Sequence, residues 1–347
     1  MHWLCKCVIG LVMLATTTWS STVAGVTQKC VPPGPGPSLN NTLYGKSYLY
    51  KLEQEFSIKL LQTLATSSNK NNLIFSPHSI YMVILITYFW SNEKNLRSFL
   101  HLPPDQDKMS VIQAYRMDKL FLSKRALNTS ADYKFSSVNG IFYQYPIEEC
   151  IAELLKDEMH KIDFAVNPEL ANKYINNWVS NHTNQIIKDL FPVGMITSRT
   201  ILVLANAAYF NGYWSSGFDS TENDMFYTSP SKYEYVTMMK KTAVFKISNS
   251  SELGSRIIEL PYKGGDISLF VILPNVNEEH GISQLSKMLS TNTIQNIVSS
   301  SQWRLDYVNV YLPKFNATHT IGDLREVNEV YNYNYVKNRF YVRFSSE

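Results

Sequence analysis

Between Ile201 and Phe210 the chain reads ILVLANAAYF, an apolar run broken once, by the amide of Asn206. Short, branched and aromatic, and bounded by polar residues, it reads as a β-strand. Asn206 lies inside that run and is therefore buried, and a buried amide left without hydrogen-bond partners costs about 1–3 kcal/mol. The fold must bring polar groups to it. A wide sheet with this segment on an inner strand is the architecture on which every later reading depends.

The remaining segments place that sheet in an α+β domain. Leu49, Leu52, Phe56, Leu60 and Leu64 recur at three- and four-residue spacing and lay one apolar stripe on a first helix. Ile80 to Trp90 is apolar nearly all round, the pattern of a buried core helix too short to cross a bilayer. Later stretches favour strands: Tyr233 to Met238, Ile257 to Leu260, Ser268 to Leu273 and Val308 to Leu312. Gly264-Gly265 reads as a turn between two of them. No Pro- or Gly-rich stretch divides the chain after residue 45 and no fixed-period repeat appears, so residues 46–347 read as a single domain.

Before that domain lie two different segments. Met1 to Gly25 opens with Lys6, runs through the apolar Val8 to Ala15 and ends in small residues that allow cleavage after Ala24 or Gly25. This is the pattern of a secretory signal peptide, and it implies an extracellular protein. Residues 26–45 contain Val31-Pro32-Pro33-Gly34-Pro35-Gly36-Pro37, which lacks backbone donors and helical geometry and reads as an extended arm. Secretion gives meaning to five N-x-S/T sequons, at Asn40, Asn128, Asn181, Asn249 and Asn316. After cleavage two cysteines remain. Cys30 and Cys150 either form one disulfide, or Cys30 pairs with another chain while Cys150 is a buried thiol.

Chemistry is mostly excluded. Lys+Arg 32 against Asp+Glu 29 leaves a net charge of +3 without a long single-sign run, so nothing argues for nucleic acid or an anionic membrane. There is no G-x-S-x-G elbow, and none of the seven histidines forms a pair spaced to hold zinc, so neither an enzyme nor a metal or cofactor is expected. Glu148, Glu149, Asp157 and Glu158 read as the solvated face of an amphipathic helix.

Several segments, in this order, resemble the serpins. Asn72-Leu73-Ile74-Phe75-Ser76-Pro77-His78-Ser79-Ile80 is similar to the N-x-x-F-S-P-x-S-I start of that family's helix B, and Ile175 to Val179 with Thr183 and Ile187 to its helix F. Leu202 to Trp214, with Phe218-Asp219, resembles strand 3A and its exit. Val236 to Met239, Glu259 to Gly264, Ser268 to Pro274 and Val308 to Phe315 continue the series, and the match fades after about residue 328.

The resemblance implies a serpin-like fold with a large mixed central sheet, two further sheets and eight or nine helices. It places Ser76, Pro77, Ser79 and Asn206 in the "shutter" beneath the central sheet and Trp214 in the "breach" where loop insertion begins. It also implies a function, the inhibition of serine proteases. The target forms an acyl-enzyme on an exposed loop, and the cleaved loop enters the sheet as a new strand before deacylation. Two departures qualify this. At Trp90-Ser91-Asn92-Glu93-Lys94-Asn95 the family carries Gly-Ala-x-Gly-x-Thr, whose small residues Trp90 replaces. Thr320 to Leu324 still resembles the next helix, but Tyr331 to Glu347 does not resemble strand 5A, the hinge or the reactive loop. The expected form is thus incomplete at its C-terminus. Its strand 3A edge is unpaired and prone to self-association, and without bait it traps no protease, which leaves a non-inhibitory or non-functional truncated serpin, or a binding or carrier module on the serpin fold, as the alternative function.

Overall fold

The computed structural model describes residues 4–16, 39–67, 73–90, 94–104, 108–127, 133–146, 149–229, 231–265, 267–274, 281–299, 303–321 and 337–346. In chain order the elements are β1 (Leu4–Thr16), α1 (Leu39–Ser67), α2 (Pro77–Trp90), α3 (Lys94–Phe99), α4 (Lys108–Leu127), β2 (Tyr133–Tyr143) and α5 (Glu149–Leu154). A 3-10 turn (Lys156–Glu158) leads into β3 (Met159–Lys161), α6 (Pro168–His182), β4 (Thr200–Tyr213), β5 (Ser220–Ser229), β6 (Lys232–Ser250), β7 (Ser255–Pro261) and β8 (Ser268–Pro274). Then follow α7 (Gly281–Met288), α8 (Thr291–Ser299), β9 (Arg304–Pro313), β10 (Asn316–Ile321) and β11 (Lys337–Ser346).

Six strands form the central sheet in the order β10-β11-β1-β4-β2-β3, antiparallel except for the β2–β3 pair. The Asn206 segment is β4, an inner strand between β1 and β2. Alternation along the strands sends neighbouring side chains to opposite faces. Leu202, Leu204 and Ile141 enter a cluster with α1, α2, α3 and α4, whereas Val203, Ala205 and Phe142 enter one with α6. A sheet covered on both faces is what makes the β4 sequence almost uninterrupted in apolar residues.

The strands outside this sheet join into one path, β5-β6-β7-β8, with β9 on the opposite side of β6. The 19-residue β6 runs through both halves, so the two smaller sheets expected from the sequence are continuous along it. Gly264 and Gly265, at φ 92° and 79°, make the turn between β7 and β8 with left-handed backbone that suits glycine.

Three expectations change. The arm was expected to extend to residue 45, but α1 starts at Leu39, because no proline follows Pro37 to stop a helix. Thr320 and Ile321, expected in a helix, extend β10, where they pair with β11. Most consequentially, the β4 edge is not open. Residues 4–16, the expected leader, pair with β4 from Leu4↔Tyr213 to Thr16↔Thr200, and β11 pairs with their far side. An apolar, extended segment of matching length satisfies the backbone donors and acceptors of β4 that otherwise seek a partner chain.

Candidate functional site

Helix α2 begins with a local cap. The Ser79 N–H donates to Ser76 Oγ at 3.2 Å, the two hydroxyls lie 3.1 Å apart, and Pro77 occupies the first helical position. Ser79 is fully buried. These serines bond each other and not Asn206, although α2 packs beneath β4.

Asn206 instead finds its partner across the sheet. Register places it directly opposite Asn139 of β2, and its Nδ2 donates to Asn139 Oδ1 at 2.8 Å and to Ser137 Oγ at 3.5 Å. Asn139 Nδ2 in turn donates to the Tyr115 oxygen (3.0 Å) and to Glu158 Oε1 (3.2 Å). Tyr115, on α4, donates its hydroxyl to both Glu158 oxygens at 2.8 and 2.9 Å, and Lys119, one turn along α4, reaches Glu158 Oε1 at 3.0 Å. Burial, reinforced by the Glu158 carboxylate, pushes the Tyr115 phenol well above its ordinary pKa and keeps it a neutral donor. The result is a continuous polar path from the exposed side of α4 to the innermost strand. It ends at Asn206 Oδ1, a buried acceptor with no partner among the described residues.

Glu158 corrects the sequence reading. It lies in the 3-10 turn and is 5% exposed, so it belongs to the interior, while Asp157 beside it faces solvent. Glu148 and the Glu149 side chain lie outside the described residues. Sequence reasoning passed over Asn139 and Tyr115 as well. The only available signal, polar residues in the strand SSVNG, names no partner until the register is known.

The opposite face of the sheet carries α6. Asn167 caps that helix, accepting from the Leu170 N–H at 2.9 Å, and Pro168 starts it. Phe142 of β2 stacks on His160 (4.9 Å between centroids) and meets Trp178 of α6 edge-on at 5.5 Å. A Cβ on Gly140 would come within 2.8 Å of Phe142 Cε2 and 3.0 Å of Trp178 Cη2, so this glycine is what lets the aromatic layer reach the sheet. His182, in the last turn of α6, donates its Nδ1–H to the Trp178 carbonyl at 2.8 Å and packs 4.3 Å from the indole. At the end of β4, Trp214 stacks on Tyr262 at 4.4 Å and 15° and fastens the central sheet to the second one.

Two histidines couple this site to pH with opposite signs. Burial, then the neighbouring His182, lowers the pKa of His160. Its contribution to stability is therefore complete above the ordinary histidine value of about 6.5 and is lost as pH falls through the folded value below it. Burial also opposes a charge on His78, but the Glu53 carboxylate 3.0 Å away outweighs it and raises the pKa. That contribution is complete below about 6.5 and is lost as pH rises through the higher folded value. Thermal melts across pH should show His160→Gln flattening the acid side of the stability profile and His78→Gln the alkaline side. The same slope in both variants as in the parent chain would refute the assignment.

Of the sequons, Asn181 is exposed on α6 and Asn249 is exposed on β6. Cys30 and Asn128 lie outside the described residues, as do the side chains of Asn40, Trp90, Cys150 and Asn316. Among the described residues no group of three or more His, Cys, Asp or Glu side chains is placed to hold a metal ion, and no helix is long and apolar enough to cross a membrane. What the geometry offers is mechanical. An inner strand is held on one side by a buried amide pair and on the other by backbone bonds to a separate segment.

A protein-family model described as "Serpin (serine protease inhibitor)" matches residues 51–334. Over 289 residues the chain is 32% identical to "Serine protease inhibitor 88Ea" of Drosophila melanogaster, covering 77% of this chain and 66% of that protein. It is 28% identical over 299 residues to human "Serpin B3", covering 80% of this chain and 75% of that one. Emu ovalbumin has a similar structure at a TM-score of 0.74 and 20% identity, covering 86% of this chain and 89% of that one.

Proposed function

The chain belongs to the serpin family, and from that premise we propose that it is a secreted protein whose function is to inhibit a serine protease by trapping it. The protease serine attacks the exposed loop, the scissile amide breaks as an ester forms, and the freed loop end enters the central sheet beside β4. Residues Ser76, Pro77, Ser79 and Asn206 would act as the shutter of that opening and Trp214 as its upper anchor. The observation that carries this reading is β4 itself. It is buried on both faces, and across the register with β2 its buried Asn206 bonds Asn139.

The pairing of β1 with β4 favours a second reading for a chain that keeps residues 1–25. With β1 already beside β4 and β11 beyond it, the position that an inserted strand needs is filled, so this form acts without trapping. Incubation of the purified chain, before and after removal of residues 1–25, with a panel of serine proteases separates the two. A protease complex that survives boiling in detergent supports trapping by this chain. No complex from either form, with one from a longer product of the same gene, assigns inhibition to the longer product alone. No complex from any form removes the inhibitor reading.

A further inference from the structure

One face of the β5–β6 hairpin carries no charge and a dense group of exposed aromatic side chains. Register sets Met225 opposite Tyr235 and Tyr227 opposite Tyr233, and alternation continues that face with Asn223 opposite Thr237. Tyr235 is 69% exposed, Tyr227 50%, Tyr233 49% and Met225 39%. The rings form a ladder, with Tyr227–Tyr233 and Tyr233–Tyr235 centroids each 5.8 Å apart. Scattered exposed apolar residues are ordinary, but a contiguous set on a flat strand pair marks an interaction surface.

The other face of the same hairpin carries Glu222, Asp224 and Glu234 against Lys232 and Lys240, a small negative excess of one charge. Glu222 and Asp224 share Lys240, whereas Glu234, exposed between Tyr233 and Tyr235 in the chain, has no ion-pair partner among the described residues. Tyrosine faces carry a negative quadrupole, which supplies the main attraction for a cation, and the Glu234 carboxylate beside them adds a weaker field that Lys232 partly offsets. The second sheet already shows the contact, for Lys240 Nζ lies 4.7 Å from the centroid of Tyr311. An anionic membrane is disfavoured by the same carboxylates. Guanidinium suits the ladder better than ammonium, because it is planar, stacks on rings and is more weakly hydrated.

We propose that the Met225–Tyr235 and Tyr227–Tyr233 pairs form a docking surface for a basic protein partner, with an arginine side chain of that partner lying on the tyrosine rings. This rests on the hairpin alone and holds whether or not the chain traps a protease. The test is titration of a tetra-arginine peptide into the full chain carrying ring-labelled tyrosine, followed by NMR. Saturable shifts of Tyr227, Tyr233 and Tyr235 are expected, weaker with tetra-lysine and absent with tetra-glutamate. Tyr235→Ala should weaken binding about two- to fivefold. Glu234→Gln should lower affinity at low salt only. Each side chain is solvent-exposed, so thermal melts should stay unchanged. No shift of these rings at millimolar tetra-arginine, or an equal response in the Tyr235→Ala chain, would overturn the proposal.

Discussion

Phe142→Ala is expected to cost about 3–5 kcal/mol, the range for truncating a fully buried phenylalanine. The residue is 0% exposed, and its ring is the floor on which α6 rests, in contact with His160, Tyr174 and Trp178. Gly140 leaves no side chain to collapse into the void, so relaxation is limited. The loss should fall unevenly. Hydrogen exchange ought to accelerate first in α6, whose hold on the sheet runs through this layer, and less in α2, which packs on the other face. Denaturant unfolding gives the total and exchange gives the distribution. Equal acceleration in α2 and α6 would show that the two faces of the sheet are not separate layers.

Glu158→Ala removes the hub of the polar path and should destabilise the chain by about 2–3 kcal/mol. Breaking a buried ion pair costs about 3–5 kcal/mol when the remaining charge is trapped, but the Lys119 side chain is 35% exposed and can turn to water. Most of the cost is then the stranded Tyr115 hydroxyl, at about 1–3 kcal/mol for a buried group left unmade, because the Asn139 amide keeps its bond to the Tyr115 oxygen. Tyr115→Phe leaves Glu158 with Lys119 and Asn139 and should cost about 1 kcal/mol. Because the two residues share one network, the double variant should lose less than the two single losses together. Urea unfolding of the four chains measures that coupling. Additive losses would mean that Tyr115 and Glu158 are independent and that no continuous path joins α4 to β4.

Much of the fold could be read from local pattern. The strand at Ile201 to Phe210 appears as β4, the apolar helix at Ile80 as α2, and Ile257 to Leu260, Ser268 to Leu273 and Val308 to Leu312 lie within β7, β8 and β9. Each of these signals is short-range. Periodicity reports which side chains face inward, and Ser-Pro or Gly-Gly reports where the backbone starts or turns. The cap formed by Ser76 with Pro77 is a signal of the same kind, since it is closed within four residues.

The polar partner of Asn206 was not legible, and neither was the interior position of Glu158. The pairing of Asn139 with Asn206 spans 67 residues and depends on a strand register that no local pattern encodes. A glutamate in the sequence Lys-Asp-Glu looks solvated until a tyrosine 43 residues away is brought over it. Residues 4–16 show the same division most clearly. Their apolar character follows from composition, but whether they meet a translocation machine or the edge of β4 is a question of what lies next to them in space.

From its amino acids alone this chain settles that it builds a buried inner strand with an amide in its middle, because burial of apolar surface needs no knowledge of neighbours. Tertiary structure alone decided which groups answer that amide, which segment lies along the strand and which carboxylate is withdrawn from water. Hydrogen bonds and ion pairs are directional and short, so they are fixed only after distant parts of the chain have been set in register.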